Sequence, residues 1–245
     1  MMRTANPALN SKTFEHPAGA LSTDVMTLEG TVNKTGFLLF ALIVPAAWVW
    51  TRFATTPESV LPWIAIGGIG GLVMALVTIF KKTWAPVTAP LYAALEGLLL
   101  GGLSAMMERA YNGIVLQAVV LTAGTLLCLL LAYRSGLIRA TENFKLGIVA
   151  ATGGIFLIYL TTWILGMFGT SVPYIHDNGV VGIGFSLVVV VIAALNLVLD
   201  FDFIEQGVEH GAPKFMEWYA AFGLLVTLVW LYIEILRLLS KLRSR

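Results

Sequence analysis

The sequence has few charged side chains and a single cysteine, and each shortage excludes a class of protein. Only 12% of its 245 residues are charged, whereas 58% are hydrophobic; a soluble domain carries about a quarter charged residues. Too little polar surface remains to cover a water-soluble globule. The one cysteine, Cys128, lies inside an apolar run and cannot form an intrachain disulfide. A net charge of +1 gives no electrostatic footprint for nucleic acid.

The motifs of several enzyme classes are also missing. There is no phosphate-binding Gly-Lys-Ser/Thr loop and no His-Glu-x-x-His zinc motif. The three histidines, His16, His176 and His210, fall outside the apolar runs, so Ser104 has no histidine with which to form a hydrolase pair. No lysine lies mid-run, as a retinal Schiff base would require. We therefore expect a protein that is not an enzyme and has no cofactor.

Long apolar runs are what the sequence does contain. About 20 apolar residues cross the roughly 30 Å of a bilayer core. Seven runs with short connections reach or approach this length, which predicts an all-α bundle of seven transmembrane helices in contact with the lipid bilayer. The predicted spans are about Thr35–Phe53, Val60–Phe80, Trp84–Met107, Gly113–Tyr133, Leu146–Phe168, Asn178–Leu199 and Trp218–Leu239.

These runs divide the chain into three parts. Residues 1–34 form a polar N-terminal tail, residues 35–240 the transmembrane domain, and residues 241–245 a short basic C-terminal tail. Arg3 is not followed by an apolar stretch, so the N-terminus is not a secretory signal peptide.

The Lys and Arg residues of the loops favour a cytoplasmic N-terminus. Nine fall on the side of the N-terminus, and only Arg52 and Arg109 fall on the opposite side. Seven spans put the C-terminus outside, although this end is basic, so either the short tail is tolerated there or one segment is re-entrant. We favour seven spans. The nine residues are Arg3, Lys12, Lys34, Lys81, Lys82, Arg134, Arg139, Lys145 and Lys214.

Glu96 is an ionisable residue near the middle of the third span. No charged residue lies within ten positions of it on either side. Ionisable groups inside a membrane are costly and usually face the bundle interior. Glu96 could therefore be a proton- or cation-responsive group that lines a cavity. It could equally be a protonated acid that hydrogen-bonds to a neighbouring helix.

An acidic run follows the end of the sixth span. Asn196 and Asp200 are four residues apart and share a helix face, and we favour a functional role for Asp200. Asp202, Glu205 and Glu209 lie on a different face if the helix continues, and we interpret them as a solvated helix end. Carboxylate oxygens suit hard cations such as Ca²⁺, although the spacing is not that of a Ca²⁺-binding loop.

The last span carries an acid and a base that can pair. Glu234 and Arg237 are three residues apart, so they can meet on one face of a helix. A salt bridge at the helix end, with Arg237 reaching the interface, is slightly favoured over a gating role. Glu217, at the start of the same helix, is expected at the interface.

Two segments resemble the Bax inhibitor-1/YccA family, and most closely its bacterial Bax-inhibitor-1-like branch. They are APLYAALEGLLLGGLSA in the third span and LDFDFIEQGVEHGAPKFMEWYAAFGLLVTLVWLYIEILRLLSKL at the end, together with seven short-looped helices. The similarity covers about residues 30–242, and the C-terminal segment is its most specific part. The resemblance implies a seventh helix surrounded by six others in a bacterial inner membrane.

The resemblance also implies a function. Some bacterial relatives conduct a slow, pH-sensitive Ca²⁺ leak, and two aspartates, with an arginine nearby, close their pore. Asp200 in Leu199-Asp200-Phe-Asp-Phe-Ile204 matches the first, and it would contact Ca²⁺ transiently; Asp202 is a second candidate in a shifted register. The second aspartate falls near Leu225–Thr227, where this chain has no acid.

Two residues are candidates to take the place of the second aspartate. They are Glu96 and Glu234. Glu234 follows Leu231-Tyr232-Ile233, which resembles the residues that precede this aspartate in the family. The second span has no arginine. YccA-type relatives, which lack the same aspartate, are associated with a membrane protease.

Two hypotheses follow. The first is a pH-gated channel for Ca²⁺ or another cation such as H⁺, with Asp200, Glu96, Glu234, Asn196 and Arg237 near its path. The second is a non-conducting interaction protein that modulates membrane proteolysis or a stress response.

Overall fold

The computed structural model describes residues 25–169 and 179–244. Seven α-helices make up most of these residues, and each is long and apolar enough to cross a membrane. The predicted all-α bundle of seven helices is confirmed. The helices are α1 Leu28–Thr55, α2 Leu61–Phe80, α3 Ala85–Ala110, α4 Ile114–Arg134, α5 Glu142–Met167, α6 Val180–Glu209 and α7 Met216–Arg243.

Capping side chains set the first residues of two helices. Helix α1 begins at Leu28 rather than near Thr35, because the Thr27 side chain accepts a hydrogen bond from the backbone N–H of Gly30 at 3.0 Å. Thr141 caps α5 in the same way. The first helix therefore starts inside the segment predicted as a polar tail, and residues 1–24 of that tail lie outside the described residues.

Helices α6 and α7 are longer than the apolar runs that predicted them. Helix α6 continues through the acidic run to Glu209, and α7 begins at Met216 after a turn in which Gly211 has a φ of +61°. A positive φ is the backbone conformation that glycine adopts at little cost. The acidic residues of the run therefore lie on a continuous helix.

Helix α7 lies at the centre of the bundle. On one side it packs against α4 and α6 in an apolar cluster that includes Leu197 and Leu231. On the other side it packs against α1 and α3 in a second cluster that includes Leu38 and Leu225. Helix α2 packs mainly on α3, and α5 packs mainly on α6, so both lie at the periphery.

Glycines let α3 approach α1 at backbone distance. A Cβ on Gly97 would overlap the carbonyl group of Leu42, and a Cβ on Gly101 would overlap that of Ala46. Small residues at such spacing are how membrane helices pack closely. This close contact places α3, and Glu96 on it, inside the bundle.

Candidate functional site

The carboxyl group of Asp200 lies inside the bundle, between α6 and α7. It is nine residues before the last residue of α6, Glu209, or about 13 Å along the helix at 1.5 Å per residue. Its Oδ2 is buried and has no hydrogen-bond partner among the described residues. Its Oδ1 lies 4.0 Å from the point where a Cβ would stand on Gly223 of α7. The carboxyl group of Asp200 therefore lies beside Gly223, at ordinary van der Waals distance.

Thr227, one helical turn beyond Gly223, is a side chain of α7 near the Asp200 carboxyl group. Thr227 is buried, and its hydroxyl donates to the carbonyl oxygen of Gly223 at 3.3 Å. The resemblance placed the second aspartate near Leu225–Thr227, and a neutral hydroxyl stands there. A carboxyl group and a hydroxyl group therefore face each other where two carboxyl groups were implied.

Asp202 does not face α7, although it is only two residues from Asp200. Its Oδ2 pairs with Lys145 Nζ of α5 at 2.8 Å and accepts a hydrogen bond from Gln206 Nε2 at 2.5 Å. Glu205 accepts a hydrogen bond from the Tyr133 hydroxyl of α4. Glu205 is exposed, as expected of a solvated helix end, whereas Asp202 is half-buried; in addition, each acid binds a neighbouring helix. Of the two aspartates, Asp200 is the one that faces the centre.

Asn196 lies one helical turn before Asp200 and joins α6 to α5. Its Nδ2 donates to Thr152 Oγ1 at 2.9 Å and to the carbonyl oxygen of Ile192 at 2.8 Å. Asn196 is therefore engaged with α5, whereas Asp200 interacts with α7. Its predicted place beside a cation path stays a prediction.

Glu96 is buried where α3 packs on α2. Its Oε2 lies 3.0 Å from the point where a Cβ would stand on Gly71. In the part of the chain that the structure describes, no residue donates a hydrogen bond to this carboxyl group. The alternative of an acid that hydrogen-bonds to a neighbouring helix is therefore not found there. A role at a cavity stays a prediction.

Glu234 and Arg237 pair on one face of α7, as their spacing predicted. Arg237 Nη1 lies 2.9 and 3.0 Å from the two carboxylate oxygens of Glu234. Tyr159 of α5 completes the group: its hydroxyl donates to the same oxygens at 3.0 and 3.1 Å, and Arg237 Nη1 donates to that hydroxyl at 2.6 Å. Glu234 lies seven residues beyond Thr227, about 10 Å along the helix. Glu234 is therefore neutralised locally and is not the partner of Asp200.

Three interior polar residues were not predicted as such. Glu217, in the first turn of α7, is fully buried within the protein, and it binds residues of α1 and of the loop before α7. Lys241 is buried and donates to the carbonyl oxygen of Gly182 at 3.0 Å and to Ser186 Oγ at 2.9 Å. Tyr159 lies in an apolar run. Apart from Lys214, which is three residues before Glu217, the partners of these residues are distant in the sequence, so local spacing did not place them inside the bundle.

The described ranges, 25–169 and 179–244, contain no group of three His, Cys, Asp or Glu side chains that could hold a metal ion. A transient Ca²⁺ contact at Asp200 would draw on one carboxylate, the Thr227 hydroxyl and water. Such a contact stays a prediction.

Comparisons with known proteins agree with the resemblance. A family model described as Bax inhibitor 1 like matches residues 6–244. No curated protein and no solved structure matches the chain. The match includes every helix of the bundle and both residues of the Asp200–Thr227 pair.

Proposed function

Because the chain belongs to the Bax inhibitor 1 like family, we propose that it is a cation leak channel whose conductance depends on protonation of Asp200. The observation that carries this proposal is the buried Oδ2 of Asp200, which lacks a hydrogen-bond partner in the described part of the chain. Buried polar atoms nearly always have a partner, so an exception calls for an explanation, and an atom that binds a proton or a cation in function is one. Intramembrane acids commonly mark ion or proton pathways.

A proton and a cation compete for the same oxygen in this mechanism. The ionised carboxylate of Asp200 offers a hard oxygen ligand, which Ca²⁺ prefers, and the Thr227 hydroxyl adds a neutral one. A proton on Asp200 removes the charge that attracts the cation and makes the group a hydrogen-bond donor to Thr227. Acidification therefore changes the Ca²⁺ leak through one titrating carboxyl group.

The basic C-terminal end is compatible with seven spans and a cytoplasmic N-terminus, the topology that we propose in a bacterial inner membrane. Arg237 pairs with Glu234. Arg243 donates to the carbonyl oxygen of Asn112 at 2.6 Å and to Gln117 Oε1 at 2.9 Å. The Arg237 charge is therefore balanced by Glu234, whereas Arg243 is exposed and bonds only neutral oxygens.

The test is Ca²⁺ flux into liposomes that carry the purified full-length chain, measured from pH 8 to pH 5. Wild type is compared with Asp200→Asn and with Glu96→Gln, which has the same change of charge at another buried acid. We expect a pH-dependent flux whose pH dependence is lost in Asp200→Asn and kept in Glu96→Gln. A flux no higher than that of empty liposomes at every pH would reject the channel.

The second candidate is a non-conducting protein that modulates membrane proteolysis or a stress response. Thr227 favours it, because a neutral residue stands where the conducting relatives were implied to have an aspartate. This candidate predicts no flux, and it predicts that deletion of residues 1–24 abolishes the cellular effect whereas Asp200→Asn leaves it intact.

A further inference from the structure

Met26, just before α1, lies inside the contact between α6 and α7. Its exposed fraction is 1%, although it belongs to an extended segment and not to a helix. It belongs to the same apolar cluster as Phe201 and Ile204 of α6 and Ala220 and Leu224 of α7. A side chain from the N-terminal segment therefore fills a space between two transmembrane helices.

Met26 lies between Asp200 and the nearer end of the bundle. Its Sδ is 2.8 Å from the point where a Cβ would stand on Gly207, so the glycine leaves the space that the sulfur occupies. Gly207 follows Asp200 by two helical turns, about 10 Å along α6. Helix α6 ends two residues later at Glu209. A path from this end of the bundle to Asp200 along the α6–α7 contact meets Met26 first.

Backbone hydrogen bonds hold the segment in this place. The N–H of Met26 donates to the carbonyl oxygen of Ala212 at 2.7 Å, and Val25 forms a β-bridge with Pro213 in the loop between α6 and α7. The N–H and the hydroxyl of Thr27 both donate to Glu217 Oε1 at 2.8 Å. Val25 and Met26 are thus fixed to the loop between α6 and α7, and Thr27 is fixed to the start of α7.

Glu217 carries two ion pairs in addition to the bonds from Thr27. Its Oε2 pairs with Lys34 of α1, and its Oε1 lies 2.9 Å from Lys214 Nζ. The carboxylate is fully buried, whereas 45% of the Lys214 side chain is exposed. Lys34 also lies over the ring of Trp218, 5.5 Å from its centroid. A buried acid with two cations and two further donors ties α1, the α6–α7 loop and α7 together.

We propose that Val25–Thr27 form a plug that closes the α6–α7 contact to water and cations on the side of the N-terminus, and that Glu217 is the latch that holds the plug. The proposal rests on the proposed function in one respect, since the path that the plug closes leads to Asp200. An anchor for the start of α1 would account for the bonds of Thr27. It would not require a methionine between α6 and α7.

The test measures access to Thr227 without any need for conduction. In a Cys128→Ser background, Thr227→Cys supplies a thiol of nearly the original size beside Asp200. The purified full-length protein in detergent is labelled with a small cationic methanethiosulfonate reagent, and the labelling rate is compared with and without Met26→Ala. We expect the rate to rise about tenfold or more, because the loss of a buried methionine side chain shifts a local opening equilibrium by at least that factor.

Three further variants separate a plug from a general loss of packing. Glu217→Gln removes the latch, leaves Met26 unchanged and should also raise the labelling rate. This variant keeps the plug testable if Met26→Ala does not fold. Met26→Leu keeps an apolar side chain of similar volume and should keep the slow rate. Met74→Ala, the loss of a half-buried methionine from α2, should also keep it.

The outcomes for the plug and for the leak are distinguishable. Fast labelling of the parent thiol, or labelling of Met26→Ala and Glu217→Gln at the parent rate, overturns the plug. Ca²⁺ flux is measured in parallel in chains that retain Thr227. Faster labelling with no flux in any variant supports the plug and rejects the channel. Flux in the parent, with flux and labelling unchanged in both variants, overturns the plug and supports the channel.

Discussion

Thr227 of α7 faces Asp200 of α6 across the contact between the two helices. The pair therefore contains a single ionisable group, where the family resemblance implied two. This arrangement makes a specific prediction about pH. With one carboxyl group, the leak should change with pH in a single step.

Introducing a second carboxyl group should divide the single pH-dependent step in Ca²⁺ flux into two. In Thr227→Asp two acids would share one buried space, and like charges at close range do not ionise together. We expect the pH profile of Ca²⁺ flux to change from one step to two. Thr227→Asn, which has a side chain of the same size without a titrating group, should keep a single step. A single step in Thr227→Asp would contradict the placement of Thr227 beside Asp200.

Asp200→Asn should stabilise the folded protein at pH 8. The buried Oδ2 lacks a partner in the described structure, and an unpaired buried charge costs stability that a neutral isostere does not. We expect a gain of about 1 kcal/mol or more in the free energy of unfolding, measured as a higher melting temperature in detergent. The gain should shrink at pH 5, where protonation leaves wild type with a neutral side chain as well. A loss of stability at both pH values would mean that the carboxylate is well satisfied.

Removal of Arg237 should cost more than removal of the Tyr159 hydroxyl. Arg237→Gln leaves the Glu234 carboxylate buried without its cation, for which we expect a loss of about 2 kcal/mol or more. Tyr159→Phe removes one donor and should cost about 1 kcal/mol. The double variant Glu234→Gln/Arg237→Gln should cost less than Arg237→Gln alone. Thermal melting of the four proteins provides the test, and a costless Arg237→Gln would argue against this group.

The first helix offers two glycines that should respond differently to alanine. A Cβ on Gly30 would overlap the Glu217 carboxylate, whereas a Cβ on Gly36 has no atom within 4 Å. We expect Gly30→Ala to destabilise the protein by about 1–3 kcal/mol. Gly36→Ala should be neutral or slightly stabilising, because alanine is the better helix former. Equal melting temperatures for the two variants would show that the Glu217 latch is not tightly packed.

The number of helices could be predicted from the sequence, but not all of their ends. Apolar runs of about 20 residues are a direct consequence of bilayer thickness, and every predicted span corresponds to a helix. The start of α1 depends on a cap by Thr27 and on the hydrogen bonds that Thr27 donates to Glu217, which is 190 residues away in the sequence. The end of α6 lies in polar sequence, where hydropathy carries no signal.

The residues of the candidate site could likewise be predicted only in part from the sequence. Asp200 could be selected because an acid one turn beyond Asn196, at the end of an apolar run, is unusual. Thr227, which faces Asp200, could not be selected from the sequence, because a threonine inside a membrane helix commonly bonds its own backbone. Glu234 and Arg237 could be paired from their spacing, whereas Tyr159 comes from another helix. Glu217 has the position of an ordinary helix-start acid, and only the tertiary contacts place it in the interior.

The central claim is that Asp200 alone controls the leak, and its neighbour provides the matched comparison. Asp200→Asn and Asp202→Asn make the same chemical change two residues apart, but Asp202 pairs with Lys145 and does not face α7. The deciding measurement is Ca²⁺ flux into liposomes at pH 8 and pH 5 for wild type and these two variants. We predict that Asp200→Asn abolishes the difference between the two pH values and that Asp202→Asn retains it. Loss of the difference in Asp202→Asn, with Asp200→Asn behaving as wild type, would contradict the claim.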